Sequence, residues 1–269
     1  MKQVILPNSN LQVSRLSFGT ASLHHIITSR ARQQLLYSVL NSGISHFDTS
    51  PYYGFGLAES ELGALMHRSD TSITVATKVG IYPPSISRYP LPILLLKAMG
   101  KFIPSMTKPE VDWSVARADL SLNQSLKRLR REYVDILFLH EPSQKLLNCD
   151  EFLVWQEKLV KNGKVLHFGL AGPSESFVDC IDSYGSLAEV LQVKDSLEGL
   201  EADQLIKRMR MMQFTYGYFS SASRNHLDFS PVDVLAGALA RNRQGSIVIS
   251  TRNIGHLNLM ASIAEGIGN

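Results

Sequence analysis

Cysteine is scarce in this chain: Cys149 and Cys180 are the only two among 269 residues, and neither has a histidine or another cysteine nearby at metal-ligand spacing. That excludes a disulfide framework and a cysteine-based metal site, and leads us to expect two free, buried thiols in a reducing compartment. Excess charge is also lacking. Lys and Arg total 27 against 24 Asp and Glu, a net charge of +3 that is too small and too dispersed to form a nucleic-acid surface, though it admits a phosphate-bearing small molecule. Long apolar runs are missing. The most apolar stretch, Leu91 to Leu96, is interrupted by Pro92 and followed by Lys97, far short of the ~18 apolar residues of a membrane span. Met1 to Asn10 contains one Lys and no apolar segment of signal-peptide length. The expectation is a cytoplasmic protein with no membrane or nucleic-acid partner. At 44% hydrophobic and 19% charged, the composition is globular, and disorder is excluded for most of the chain.

What the sequence does contain is alternation. Short β-branched and aromatic runs recur between longer segments of helical periodicity, the pattern of βαβ units. Val4 to Leu6 and Leu11 to Val13, joined through Asn8-Ser9-Asn10, read as a hairpin. Eight strands are then expected at Arg15 to Phe18, Ser45 to Asp48, Ile73 to Lys78, Val134 to His140, Leu166 to Ala171, Val190 to Val193, Met211 to Phe214 and Ile247 to Ser250. Helices are expected over Arg30 to Asn41, Ala58 to His67, Ser114 to Arg131, Glu151 to Lys161, Ser174 to Tyr184, Glu201 to Arg208, Pro231 to Asn242 and Ile254 to Ala264. Asn41-Ser42-Gly43 and Asn162-Gly163 supply the left-handed residue that closes a helix. Eight repeats without a linker point to a single (β/α)8 TIM barrel spanning residues 1–269 and preceded by an N-terminal β-hairpin. A doubly wound sheet is the alternative, but no G-x-G-x-x-G follows the first strand.

In such a barrel the chemistry sits at the C-terminal ends of the strands. Three consecutive strands end in Asp48, Lys78 and His140, and the loop after Asp48 carries Tyr52 and Tyr53. Singly, these residues read as a turn former, a solvated strand end and a core histidine. Adjacent strands lie about 4.8 Å apart, so the three ends converge within roughly 10 Å. A lysine ammonium, held charged by an aspartate, lowers the pKa of a nearby phenol. The phenol then serves as acid or base towards a carbonyl oxygen that a neutral histidine orients. That set suits carbonyl reduction or alcohol oxidation and requires a hydride donor.

These residues resemble a known family. Asp48-Thr49-Ser50-Pro51-Tyr52-Tyr53-Gly54 with Glu59, Thr77-Lys78-Val79-Gly80 and Val134-Asp135-Ile136-Leu137-Phe138-Leu139-His140 are similar to the motifs of the aldo-keto reductases. The likeness extends from about Leu16 to about Met260, is thinner between Asp195 and Arg243, and is nearer the bacterial and sugar-dehydrogenase-like branch with short C-terminal tails. It implies a (β/α)8 oxidoreductase with a catalytic tetrad of Asp48, Tyr53, Lys78 and His140, the five-residue spacing from Asp48 selecting Tyr53 over Tyr52.

The resemblance also implies a nicotinamide cofactor across strands five to eight. Contacts are expected from Thr20, Asp48, Ala171, Gly172, Gln192, Tyr216, Ser250, Thr251, Arg252 and His256. Ala171-Gly172 stands where the family usually has Ser-Asn, His256 where relatives often carry Gln, and Met260 where a frequent Asn contacts adenine. Arg252, at the start of the last helix, favours NADP(H), with NAD(H) the alternative. The expected partner is a small carbonyl compound, alcohol or sugar; no metal is implied and no oligomeric state is assigned. Two competing readings are a Schiff-base aldolase using Lys78 and a non-catalytic, cofactor-binding or regulatory relative. The long connection from Gly80 to Trp113, rich in Leu, Ile and Pro, is expected to form an apolar wall or lid, with a short helix near Ile93 to Lys101.

Overall fold

The computed structural model describes residues 1–69, 72–84, 108–142, 146–224 and 230–266. Strands β1 (Gln3–Ile5) and β2 (Gln12–Ser14) form an antiparallel hairpin. Eight parallel strands then close a barrel: β3 (Leu16–Gly19), β4 (His46–Asp48), β5 (Thr74–Val79), β8 (Val134–His140), β9 (Val165–Gly172), β10 (Val190–Lys194), β11 (Phe214–Tyr216) and β12 (Ser246–Ile249). β12 pairs with β3, which completes the ring. The (β/α)8 expectation is met, and so is the hairpin, displaced by one residue at each strand. Leu6 and Leu11 leave the ladder because they are buried with Val13 against Ile136, Phe138, Val190 and Phe214. Their burial plugs the barrel interior with apolar surface.

Helices α1 (Ser29–Asn41), α2 (Leu57–Met66), α3 (Val115–Leu129), α4 (Cys149–Lys161), α5 (Asp203–Ile206), α6 (Tyr218–Arg224), α7 (Pro231–Arg241) and α8 (Ile254–Gly266) follow. Side chains of Thr28, Ser114, Asn148 and Ser230 cap four of them, each cap contributing about 1 kcal/mol. Gly43 (φ 79°) and Gly163 (φ 66°) take the left-handed conformation expected where α1 and α4 end. Cys149, at the start of α4, is half-buried and not the buried thiol expected from the sequence.

The differences from the expected pattern fall late in the chain. Residues 174–184 form 3-10 turns instead of an α-helix. The helix expected over Glu201 to Arg208 shrinks to α5, and α6 was not foreseen. Buried Asp195 explains the changes at α5 and α6: its carboxylate accepts hydrogen bonds from the Ala202 amide (3.0 Å), the Tyr218 hydroxyl (2.7 Å) and Arg241 Nε (2.5 Å). These long-range bonds fix the ends of α5, α6 and α7 together, overriding local propensity. β11 begins at Phe214 and not at Met211, because Gln213 turns to join elements: it accepts from Leu191 N (2.7 Å) and donates to the Pro7 carbonyl (2.6 Å).

After β5, strands β6 (Ile81–Tyr82) and β7 (Glu110–Val111) pair antiparallel and tie together the base of the long connection. Gly80 (φ 107°) starts this excursion against the buried Trp113 ring, which a β-carbon there would overlap. Residues 85–107 of the expected lid, with the helix expected near Ile93 to Lys101, lie outside the described residues. Among those residues, no helix is long and apolar enough to cross a membrane.

Candidate active site

The C-terminal ends of β4, β5 and β8 deliver Asp48, Lys78 and His140 to one cavity of about 340 Å³, which Tyr53 enters from the β4–α2 loop. That loop is tightly held: Tyr53 N donates to the Ser50 carbonyl (3.0 Å), and Tyr52 N to Ser50 Oγ (3.2 Å). Gly54, Phe55 and Gly56 turn the chain through three successive positive φ values into α2. Buried Glu59, on α2, accepts from Thr77 Oγ1 (2.7 Å) and Arg128 Nε (2.6 Å). It thereby joins the Tyr53 loop to the strand that carries Lys78. Tyr52 does not line the cavity and makes a tilted contact with Phe55, whose ring centroid is 6.2 Å away.

Lys78 is fully buried and pairs directly with Asp48 Oδ1, while also donating to the Thr49 carbonyl at 2.9 Å. The same Asp48 oxygen accepts from Gln192 Nε2 (2.8 Å), so a residue on β10 completes the pair. Burial pulls the Lys78 ammonium below the ordinary lysine range, and Asp48 opposes that pull. Lys78 Nζ stands 5.1 Å from the Tyr53 ring centroid. The sequence led us to expect that this ammonium would lower the Tyr53 pKa. Instead burial, with Asp48, Tyr216 and Glu141 adding to it, pushes the phenol well above its usual value. Asp48 largely neutralises the lysine charge, and desolvation of the phenolate dominates.

Tyr53 and His140 meet edge to face, with ring centroids 6.3 Å apart at an interplanar angle of 89°. Burial, and then the Lys78 charge, lower His140 to about 3, which keeps its imidazole neutral at pH 7. Its buried Nδ1 has no hydrogen-bond partner. The four residues expected to act together are thus gathered around one cavity, with a neutral phenol, a neutral imidazole and an internally balanced ion pair.

Ala171, Gly172, Gln192, Tyr216 and Ser250 also line the cavity. Gln192 differs from expectation in that its amide nitrogen is committed to Asp48. Thr20 is buried away from the cavity lining and donates its N–H (2.9 Å) and hydroxyl (3.0 Å) to the Asp48 carbonyl, so it fixes the aspartate backbone. Thr251, Arg252 and His256 lie beyond the lining residues, at the start of α8. Arg252 and His256 are exposed, and the amide of His256 donates to Asn253 Oδ1 (3.1 Å), which occupies one of the helix-terminal donors. Met260 is buried in the core. Sequence reasoning missed Glu141, which lines the cavity immediately after His140. A charged residue next to a candidate catalytic strand end was the available signal.

The model of the family described as "Aldo/keto reductase family" matches residues 15–196. L-galactose dehydrogenase of Arabidopsis thaliana is 31% identical over 188 residues, covering 66% of this chain and 50% of that protein. The chain spans about half the length of the curated relatives it matches. Among solved structures, an aldo-keto reductase from Bacillus halodurans in its holo form superposes with a TM-score of 0.74 at 19% identity, covering 98% of this chain and 91% of that one. One from Klebsiella pneumoniae in complex with NADPH gives 0.68 at 16% identity, covering 98% and 89%. At these identities the structural likeness speaks for the barrel alone.

The cavity lining is compatible with a nicotinamide nucleotide. Its wall carries the buried, unpartnered His140 Nδ1, which marks unsatisfied polarity facing the site.

Proposed function

The chain belongs to the aldo/keto reductase family, and from that premise we propose that it is an NADP(H)-dependent oxidoreductase. Its substrates are an aldehyde or ketone, or the corresponding alcohol or sugar, and Tyr53 is the general acid and base. The observation that carries this reading is the convergence of Tyr53, His140 and the Lys78–Asp48 pair on one cavity. We read the whole chain as one barrel domain working in the cytoplasm.

A nicotinamide cofactor, when bound, would supply or accept the hydride. Ala171, Gly172, Gln192, Tyr216 and Ser250 would hold its ring end, and Arg252 and His256 the phosphate end. Neutral His140 orients the substrate oxygen by hydrogen bonding. Tyr53, protonated at pH 7, donates its hydroxyl proton to that oxygen during reduction and takes it back in oxidation. Lys78, 5.1 Å from the ring, lies where it favours the phenolate that remains. With its ammonium committed to Asp48 and the Thr49 carbonyl, Lys78 lacks the free lone pair of an aldolase nucleophile, which supports the hydride-transfer reading. The sugar substrate in the name of the Arabidopsis relative supports including sugars.

The test is NADPH oxidation with a panel of aldehydes, ketones and sugars. Wild-type protein should turn over and Tyr53→Phe should lose at least about a hundredfold in kcat while binding NADPH as before. More than a tenth of the rate surviving in Tyr53→Phe would assign the proton to another group.

A further inference from the structure

Among the described residues, Glu141 is the one charged residue lining the cavity that the proposed chemistry leaves unused. It directly follows His140 at the end of β8, with its backbone in the left-handed region (φ 51°). Its N–H donates to the Ala171 carbonyl at 2.6 Å, which ties the turn to β9. A non-glycine residue is disfavoured in this conformation and persists only where its surroundings impose it. Gly172 provides the room, since any β-carbon there would stand 2.9 Å from Glu141 Cγ. The base of the side chain is therefore wedged between two strand ends, with the carboxylate at the cavity mouth.

Among the described residues, the charges around that carboxylate leave it uncompensated. Among the described residues that line the cavity, Asp48 and Glu141 are the carboxylates, Lys78 is the ammonium, and neutral His140 adds nothing. Lys78 is spent on Asp48. Tyr53 and Tyr216 both feel Glu141 as a negative charge, and Glu175 adds another on the Tyr216 side. Lys194, near Gly217, is engaged by Glu201 at 3.2 Å.

Building on the oxidoreductase reading above, we propose that Glu141 makes this site discriminate by substrate charge, admitting uncharged carbonyl compounds and rejecting those that carry a carboxylate or phosphate. Because Glu141 is exposed, solvent screening limits the discrimination to about tenfold at low ionic strength, and salt weakens it.

The experiment compares succinic semialdehyde with its uncharged methyl ester, in wild type and Glu141→Gln, with NADPH as reductant. Wild type should favour the ester in kcat/KM. Glu141→Gln should reduce that preference about tenfold through a gain on the acid, whereas a merely structural role would lower both substrates alike. An unchanged preference, or parallel losses, would overturn the proposal. Calorimetric binding of butyrate and butyramide to the NADPH-loaded protein provides a readout that needs no turnover. The amide should bind more tightly in wild type, and the difference should vanish in Glu141→Gln; equal binding in wild type overturns the charge role. If neither aldehyde is reduced while the Glu141-dependent binding difference persists, the charge role stands and the oxidoreductase reading falls.

Discussion

Gly172 and Glu141 share one volume. A β-carbon on Gly172 would lie 2.9 Å from Glu141 Cγ and 3.2 Å from its Cα, so a side chain at 172 would have to displace the observed Glu141 side chain. The departure from the family's usual Ser-Asn is in this way coupled to the carboxylate at the cavity mouth, 31 positions earlier in the chain.

It follows that Gly172→Ala should destabilise the protein by about 1–3 kcal/mol, through overpacking and a positive φ of 154°. A thermal melt should record a drop of a few degrees. The double variant Gly172→Ala, Glu141→Gly should lose less than the sum of the single variants, since it removes the collision and suits the left-handed backbone at 141. Strict additivity would show that the two sites are independent.

The direction of the Tyr53 shift sets the pH dependence. A phenol raised above its usual value stays protonated through neutrality, so reduction should hold nearly level from about pH 6 to about pH 9, falling only beyond. Oxidation needs the phenolate and should rise with pH across that interval. His140, near 3, is neutral throughout and should contribute no limb around the ordinary histidine value. A bell centred near pH 6.5 in either direction would contradict both assignments.

Arg252 stands exposed before α8, so its expected role is confined to the cofactor's extra phosphate. Arg252→Ala should weaken NADPH about tenfold or more in fluorescence titration and leave NADH nearly unchanged. Equal weakening of the two would mean that Arg252 supports the fold near α8.

The barrel and the convergence of Asp48, Tyr53, Lys78 and His140 were legible in the sequence because parallel βα repeats bring every strand's C-terminal end to one face, whatever the loops contain. Hydrophobic alternation fixed the strands, and the resemblance to the aldo-keto reductases, through their Asp-to-Tyr spacing, singled out Tyr53. Tertiary structure alone decided what each group experiences there. Gln192 reaches Asp48 across 144 positions, Thr20 holds the Asp48 carbonyl, and burial outweighs Lys78 at the Tyr53 hydroxyl. The region from 201 to 224 departed from its periodicity for the same reason, since the buried Asp195 carboxylate gathers Ala202, Tyr218 and Arg241 from the ends of three separate helices. A local pattern records which face of a strand or helix is apolar, whereas desolvation and hydrogen-bond competition depend on neighbours that exist only once the barrel has closed.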